Sequence, residues 1–336
     1  MHIAVLGAGA IGGSVGALLA ENGHDVTLVG RSDQVRAIRE SGLQLEGSLG
    51  AFTAKVRAAT TLDGIPDLAL LAVKTQDVEA TVRSSESLLH DVPLVTLQNG
   101  VRSDEIVARI LPPNKLLSAV VMVTATYLVP GHVTLVDRGH LVLGRPRGPR
   151  DTLSEEIAGV LNPAVPTYLS DNLIGAHWVK LIMNLNNALP ALSNRALREV
   201  SDDPLLRELA VRLMREGVRV AERGGVVLEP LGGVSLRTVR LLTRLPVSWA
   251  AGMFGARAGR VGGGWPVLGS TLQSVRRGRP TEVDYLNGEV VAQGARLGIP
   301  TPFNAKVVEL VHEVERTGRF PTPERLRDEF TAIRGR

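Results

Sequence analysis

Lys180, Asn184 and Asn187 lie in a stretch, Gly175 to Leu189, that is otherwise composed for a protein interior: Trp178, Val179, Leu181, Ile182, Met183, Leu185 and Leu189 surround them. An unpaired polar group out of water costs roughly 2–7 kcal/mol, depending on the reference state, so these side chains need partners or a ligand. At 3.6 residues per turn, Asn184 falls about 40° to one side of Lys180 and Asn187 about 20° to the other, whereas Asn186 points roughly opposite. The three form one polar stripe along an apolar helix. Such a stripe serves either as a satisfied network between helices or as the wall of a pocket. In a pocket, lysine is a cation that can also give up a proton, which suits a place where negative charge develops on an oxygen.

A second polar insertion comes about a hundred residues later, in VLGSTLQSVRRGRPTEVDYLNGEVV (267–291). Thr281 reads as the N-cap of a helix over 281–297, with Glu282 in its first turn, where the positive end of the helix stabilises a carboxylate. Capping alone would account for Glu282. A buried lysine nevertheless needs an anion, and this is the most sharply framed glutamate of the second half. Burial would lower the lysine's pKa, and a nearby carboxylate would pull it back up.

At the other end, Gly7-Ala8-Gly9-Ala10-Ile11-Gly12 matches G-x-G-x-x-G directly after an apolar run and at the start of a helical one. The glycines permit a tight turn and a close backbone approach, so a pyrophosphate can rest on the free N–H groups and positive end of that helix. Dinucleotide binding is expected here. After the second strand, where an NAD site usually carries Asp or Glu, the chain reads Gly30-Arg31-Ser32. Arginine accommodates a 2′-phosphate, so NADP(H) is expected over NAD. Lys74, in AVKTQD, could reach a phosphate or a ribose, or stand as a surface lysine. Asn99, in LQNG, makes a tight turn at a strand's carboxyl end and can offer its amide to a ligand; a plain turn residue is the alternative.

The elements that must carry these groups follow from periodicity. HIAVLG (2–7), DVTLVG (25–30), DLALLAV (67–73) and PLVTLQN (93–99) read as strands, alternating with helices near 10–22, 32–41, 77–90 and 103–110. That alternation is the mark of parallel βαβ units. Further β-like pieces occupy 116–128, 132–137 and 140–144, and a helix is expected over 153–161. After VPTYLSDN (165–172) strand patterns give way to amphipathic runs at 173–190, 203–223, 234–244, 266–277 and 281–297, with GARAGRVGGGW (255–265) reading as a linker. The expected architecture is an α/β Rossmann-type N-terminal domain, 1–168, followed by an all-α C-terminal domain, 169–336.

Composition excludes several alternatives. No cysteine is present, which removes disulfides, thiolate catalysis and Cys-ligated metal. No His or carboxylate cluster has metal-ligand spacing, so no metal is expected; His177, three residues before Lys180, is expected to pack or to support its neighbours. The 38 basic and 34 acidic residues are spread without a block of like charge, and aromatics are only 3%, which does not suit a nucleic-acid surface. No apolar run approaches the ~20 residues that cross a membrane, so a soluble, cytoplasmic protein is expected. A net charge of +4 favours, mildly, an anionic small-molecule ligand.

Taken together, GAGAIGG, Arg31, VKTQD, the QNG turn, W-x-K-L followed by Asn184, Ser270 in STLQ, and GRPTEVDYLNG resemble the ketopantoate reductase (2-dehydropantoate 2-reductase) family over almost the whole chain. The resemblance implies NADPH-dependent reduction of a 2-keto acid to its 2-hydroxy acid on the way to pantothenate and coenzyme A. Lys180 then corresponds to the general acid and Glu282 to the acidic partner. Asn99, Asn184 and Ser270 match substrate-contacting positions, with Asn187 added from the stripe. Arg31 and Lys74 match NADPH-binding positions, and the expected cofactor set is Gly7, Gly9, Ala10, Ile11, Gly12, Arg31, Lys74, Asn99 and Glu282. Two departures fall in the substrate half: Ala188 stands where the family commonly has a second asparagine, and Ser274 where it has an aspartate. They leave open a reductase of another 2-keto or β-hydroxy acid, and a nonenzymatic NADPH sensor of the same fold is the reading from another class. A small 2-keto acid is the expected partner, with no nucleic acid or membrane, and a homodimer stays open.

Overall fold

A computed structural model describes residues 1–232, 234–258 and 269–334. The chain divides into two compact units, Met1–Ala176 and His177–Arg336.

In the first unit an eight-stranded sheet runs, edge to edge, through Thr167–Leu169, Leu141–Gly144, Leu116–Val121, Leu94–Thr96, Leu68–Leu71, His2–Leu6, Asp25–Val29 and Arg57–Ala59. Its pairings are parallel except the one between Leu141–Gly144 and Leu116–Val121. The central strands are buried on both faces, which is why they read as continuous apolar runs rather than as alternation. Ile3 and Val5 enter one core, and Leu6 joins Leu71, Leu89 and Val107 in the other.

A second sheet of four strands, Gly50–Ala54, Leu43–Gly47, His132–Asp137 and Thr124–Thr126, was not expected as a separate layer. Helix Ala10–Glu21 packs against strands of both sheets, so its buried positions, Gly12 through Leu19, run all around it. The expected β-like run 116–128 is accordingly two strands in two different sheets. The strands within 43–59 escaped the reading because they are three to five residues long and lie on no continuous apolar run. The expected helix 77–90 is interrupted at Ser85, between Val78–Ser84 and Glu86–Leu89.

The second unit is helical among its described residues apart from one bridge, Leu231–Val234. Its longest helix, Pro204–Arg223, starts with proline at a position whose N–H is not needed, and Asp203 accepts from the Leu205 and Leu206 N–H groups. Two of the expected helices are interrupted in the structure. The run 173–190 is helix Leu173–Asn184, a 3-10 turn Leu185–Asn187 and helix Ala188–Ser193. Pro190 has no N–H for the Asn186 carbonyl and its ring crowds that carbonyl, so an undisturbed α-helix cannot pass through this point. The run 281–297 becomes a 3-10 turn, Val283–Tyr285, and only then helix Asn287–Leu297. Thr281 is not the N-cap of that turn: the position falls to Glu282, which makes no side-chain cap bond, while the Thr281 hydroxyl accepts from Val283 N–H at 3.2 Å from one residue earlier. Residues 259–265 of the expected linker lie outside the described residues, whereas 255–258 belong to helix Val247–Ala258.

Candidate active site

In the first unit the strand His2–Leu6 ends in Gly7, whose φ of +119° is open to glycine and strained for other residues. The Gly7 and Ala8 N–H groups donate to the Val29 carbonyl at 2.8 and 3.1 Å, which folds the turn over the next strand. A Cβ on Gly7 would lie 2.5 Å from the Ala72 backbone, and one on Gly12 would lie 1.9 Å from the Gly7 carbonyl oxygen. Gly9 differs: its Cβ would meet nothing within 4 Å. Gly9 is also the N-cap of helix Ala10–Glu21, with no side chain capping that end and no acidic residue in its first turn, where Ala10 and Ile11 stand. The first N–H groups of a helix have no partner within it, so this end suits a phosphate. A cavity of about 150 Å³ adjoins Gly7, bounded among others by Val29, Thr61, Leu62, Val73 and Ser85.

Arg31 is exposed and immediately precedes helix Ser32–Ser41. At Gly30 a Cβ would lie 2.8 Å from that of Ala8, so the turn itself keeps position 30 free of the acidic side chain an NAD site favours. Lys74 and Asn99 are half-buried, just past the carboxyl ends of the adjacent parallel strands Leu68–Leu71 and Leu94–Thr96. Gln98 laces these ends together by donating to the Leu71 and Val73 carbonyls at 2.7 and 3.0 Å. Thr75 adds a long bond, 3.4 Å, to the Asn99 carbonyl. Gln34 was missed by the sequence reading. Buried in helix Ser32–Ser41, it donates to the Ala8 carbonyl at 3.0 Å and accepts from Gly131 N–H at 2.6 Å, which pins the glycine turn.

In the second unit, Lys180 lies on helix Leu173–Asn184, retaining some exposed surface, yet burial among protein atoms lowers its pKa from 10.5 to about 8. The stripe holds its register through the 3-10 turn. Asn187 donates to the Asn184 Oδ1 at 3.3 Å and lies 3.4 Å from the Ser270 hydroxyl, which brings three expected substrate contacts together. Asn184 is buried and Ser270 is exposed at the start of helix Ser270–Arg276. Asn186, buried away from this cluster, has an Oδ1 with no hydrogen-bond partner. His177 is buried one turn before Lys180, and Ala188 is buried at the start of the next helix. Ser274, also buried, turns its hydroxyl back to the Ser270 carbonyl at 3.2 Å.

Glu282 is half-buried and its carbonyl accepts from Tyr285 and Leu286 N–H at 3.0 and 3.1 Å. The residue before it, Thr281, donates its N–H to the Glu315 carboxylate at 2.7 Å. Lys180 and Glu282 thus sit in the same unit, and both are engaged with polar or charged partners. Among the described residues no cluster of His, Cys, Asp or Glu stands ready for a metal ion, and no helix is long and apolar enough to cross a membrane. A buried network of Glu216, Asn287 and Asn304 also went unread, because neither spacing nor neighbouring residue types mark it in the sequence.

Comparison with known proteins places the chain in a family. A relative from Pyrococcus horikoshii named 2-dehydropantoate 2-reductase is 29% identical, the alignment covering 95% of this chain and 99% of the relative. A crystal structure of a PanE/ApbA family ketopantoate reductase from Ralstonia eutropha superposes with a TM-score of 0.77 at 31% identity, over 94% of this chain and 99% of that one. The ternary structure of D-mandelate dehydrogenase with NADH and anilino(oxo)acetate shares the fold, with a TM-score of 0.83 at 24% identity over 94% and 99% of the two chains. Residues 3–148 match the family described as ketopantoate reductase PanE/ApbA, and residues 172–315 match its C-terminal part. The chain therefore belongs to the ketopantoate reductase family.

Proposed function

We propose that this protein reduces 2-dehydropantoate to pantoate with NADPH. Membership of the family and the names of its relatives support the reaction. The observation that carries it is Lys180, an ammonium group with its pKa lowered to about 8, on the same short stretch as the clustered amides of Asn184 and Asn187.

The residues present suit the cofactor. The uncapped helix end behind Gly9, Ala10, Ile11 and Gly12 fits its pyrophosphate, and Arg31 and Lys74 are cations fit for its 2′-phosphate. When bound, NADPH supplies hydride for the ketone carbon. Lys180 donates its proton to the oxygen that becomes negative and recovers one from solvent, a role for which a pKa near working pH is best. Glu282, in the same unit, can accept from a hydroxyl of substrate or cofactor. Asn184, Asn187 and Ser270 supply neutral donors for a carboxylate without adding charge, and Asn99 offers its amide to ligand at the sheet edge.

The direct test is NADPH oxidation in the presence of 2-dehydropantoate, with NADH and a panel of other 2-keto acids alongside. Turnover that is fastest with 2-dehydropantoate and NADPH is expected. No turnover by wild type, or full turnover by Lys180→Ala, would overturn the proposal.

A further inference from the structure

We propose that Asn287 is a positioning residue: a single buried amide that ties the turn following Lys180 and Asn184 to the segment following Glu282, and thereby holds the spacing of the reducing groups. The inference rests on the proposed roles of Lys180 and Glu282.

Asn287 is 1% exposed at the start of helix Asn287–Leu297. Its side-chain NH2 has two donors, and both are used: one reaches the Leu185 carbonyl at 3.2 Å and the other the Asn304 Oδ1 at 2.9 Å. Leu185 opens the 3-10 turn Leu185–Asn187, directly between Asn184 and Asn187. Asn304, 0% exposed, passes the chain on by donating to Glu216 Oε2 at 2.7 Å and to the Leu213 carbonyl at 3.3 Å. Glu216 also accepts from the Phe303 and Asn304 N–H groups at 3.0 and 2.9 Å. Burial pushes the Glu216 carboxyl up, and these bonds oppose that rise. The chain of bonds spans helices Pro204–Arg223 and Pro302–Thr317 and ends on the one turn that the catalytic stripe must cross.

Packing fixes the same turn. A Cβ on Gly217 would lie 2.9 Å from Leu185 Cδ1 and 3.2 Å from Ile182 Cγ1, so helix Pro204–Arg223 lies close against these side chains. At the other end, the bonds from Tyr285 and Leu286 to the Glu282 carbonyl close 282–286 into a turn that leads directly into Asn287. Asn287 thereby anchors the end of the turn that begins at Glu282. Loss of its donors leaves two buried oxygens short of a partner and lets the turn relax toward water.

The test compares wild type with N287L, which removes both donors on the same branched four-heavy-atom skeleton though with bulkier methyl groups, and N287S, which keeps one shorter donor. V311A serves as control; Val311 is a fully buried apolar residue of helix Pro302–Thr317 outside the bonded chain. Far-UV dichroism and Tm first establish folding. If N287L does not fold, N287S carries the comparison. Steady-state kinetics with 2-dehydropantoate, NADPH affinity, and a 13C NMR titration of Lys180 in ligand-free protein are then measured. Expected for the Asn287 variants are a fall in kcat of about 10-fold or more, NADPH affinity within about twofold of wild type, and a Lys180 midpoint moved upward from about 8. V311A is expected to lower Tm alone. An unmoved lysine midpoint with kcat within about twofold of wild type overturns the proposal, as does a loss that V311A reproduces. Failure of wild type to turn over 2-dehydropantoate would refute the proposed function instead, because the lysine titration reads Asn287's effect without substrate.

Discussion

The glycine turn of the first unit and the lysine stripe of the second present their polar groups by different means. At Gly7–Gly12 the groups on offer are backbone N–H groups, and the side chains matter by being absent. At Lys180–Asn187 every useful atom belongs to a side chain, and its place depends on partners at 270, 287 and 304, roughly a hundred positions away. A backbone site is made by local geometry and tolerates few substitutions at its turn. A side-chain site is assembled by packing and can be weakened gradually.

The largest effect is expected at the lysine. Lys180→Ala should lower kcat by about 10²–10⁴-fold with NADPH affinity little changed, read from steady-state rates and a binding titration. Gly12→Ala comes next, since its Cβ would lie 1.9 Å from the Gly7 carbonyl oxygen. It should depress both Tm and NADPH affinity, the latter about 100-fold or more, by pushing the turn open. Gly9→Ala sharpens the contrast: with nothing of the protein within 4 Å of its Cβ, Tm should hold while NADPH affinity falls. If Gly9→Ala binds NADPH as wild type does, the helix end is not the phosphate site.

Arg31→Ala should cost NADPH about 10–100-fold in affinity and leave NADH nearly untouched, the scale of a lost charge-assisted bond. Asn187→Ala, at the mild end, should raise KM for the keto acid about 2–10-fold, because its bonds of 3.3 and 3.4 Å are long.

The lysine also separates activity from stability along the pH axis. Its folded pKa is lowered from 10.5 to about 8, so between those values the folded protein holds fewer protons on this group than the unfolded chain. Its contribution to stability is complete above about 10.5 and is lost as pH falls through about 8. Activity that needs the protonated amine runs the other way and should fall as pH rises past about 8. Comparing Tm against pH for wild type and Lys180→Met, beside the pH profile of kcat/KM, checks both signs.

Much of the first unit was legible because its signals are local. The strand, glycine turn and helix of 2–22 lie in one uninterrupted stretch, and strands buried on both faces announce themselves as apolar runs. The strands of 43–59 were not, since pieces of three to five residues owe their state to the partner that pairs with them, here His132–Asp137 for Leu43–Gly47. In the second unit the angular register of Lys180, Asn184 and Asn187 could be read from helical periodicity. That Asn187 lies within reach of Ser270 could not.

Sequence by itself determined the helix end that suits a phosphate, the basic residue following the second strand, and the presence of a polar stripe on an apolar helix. Each follows from φ/ψ limits, hydrophobic period or residue charge, which act within a few neighbours. Tertiary structure alone decided that the stripe breaks into a 3-10 turn, that Asn287 and Asn304 hold that turn, and that Lys180 is buried enough to lower its pKa. Desolvation and the satisfaction of buried amides depend on what distant segments bring alongside, and no local pattern of residues encodes that.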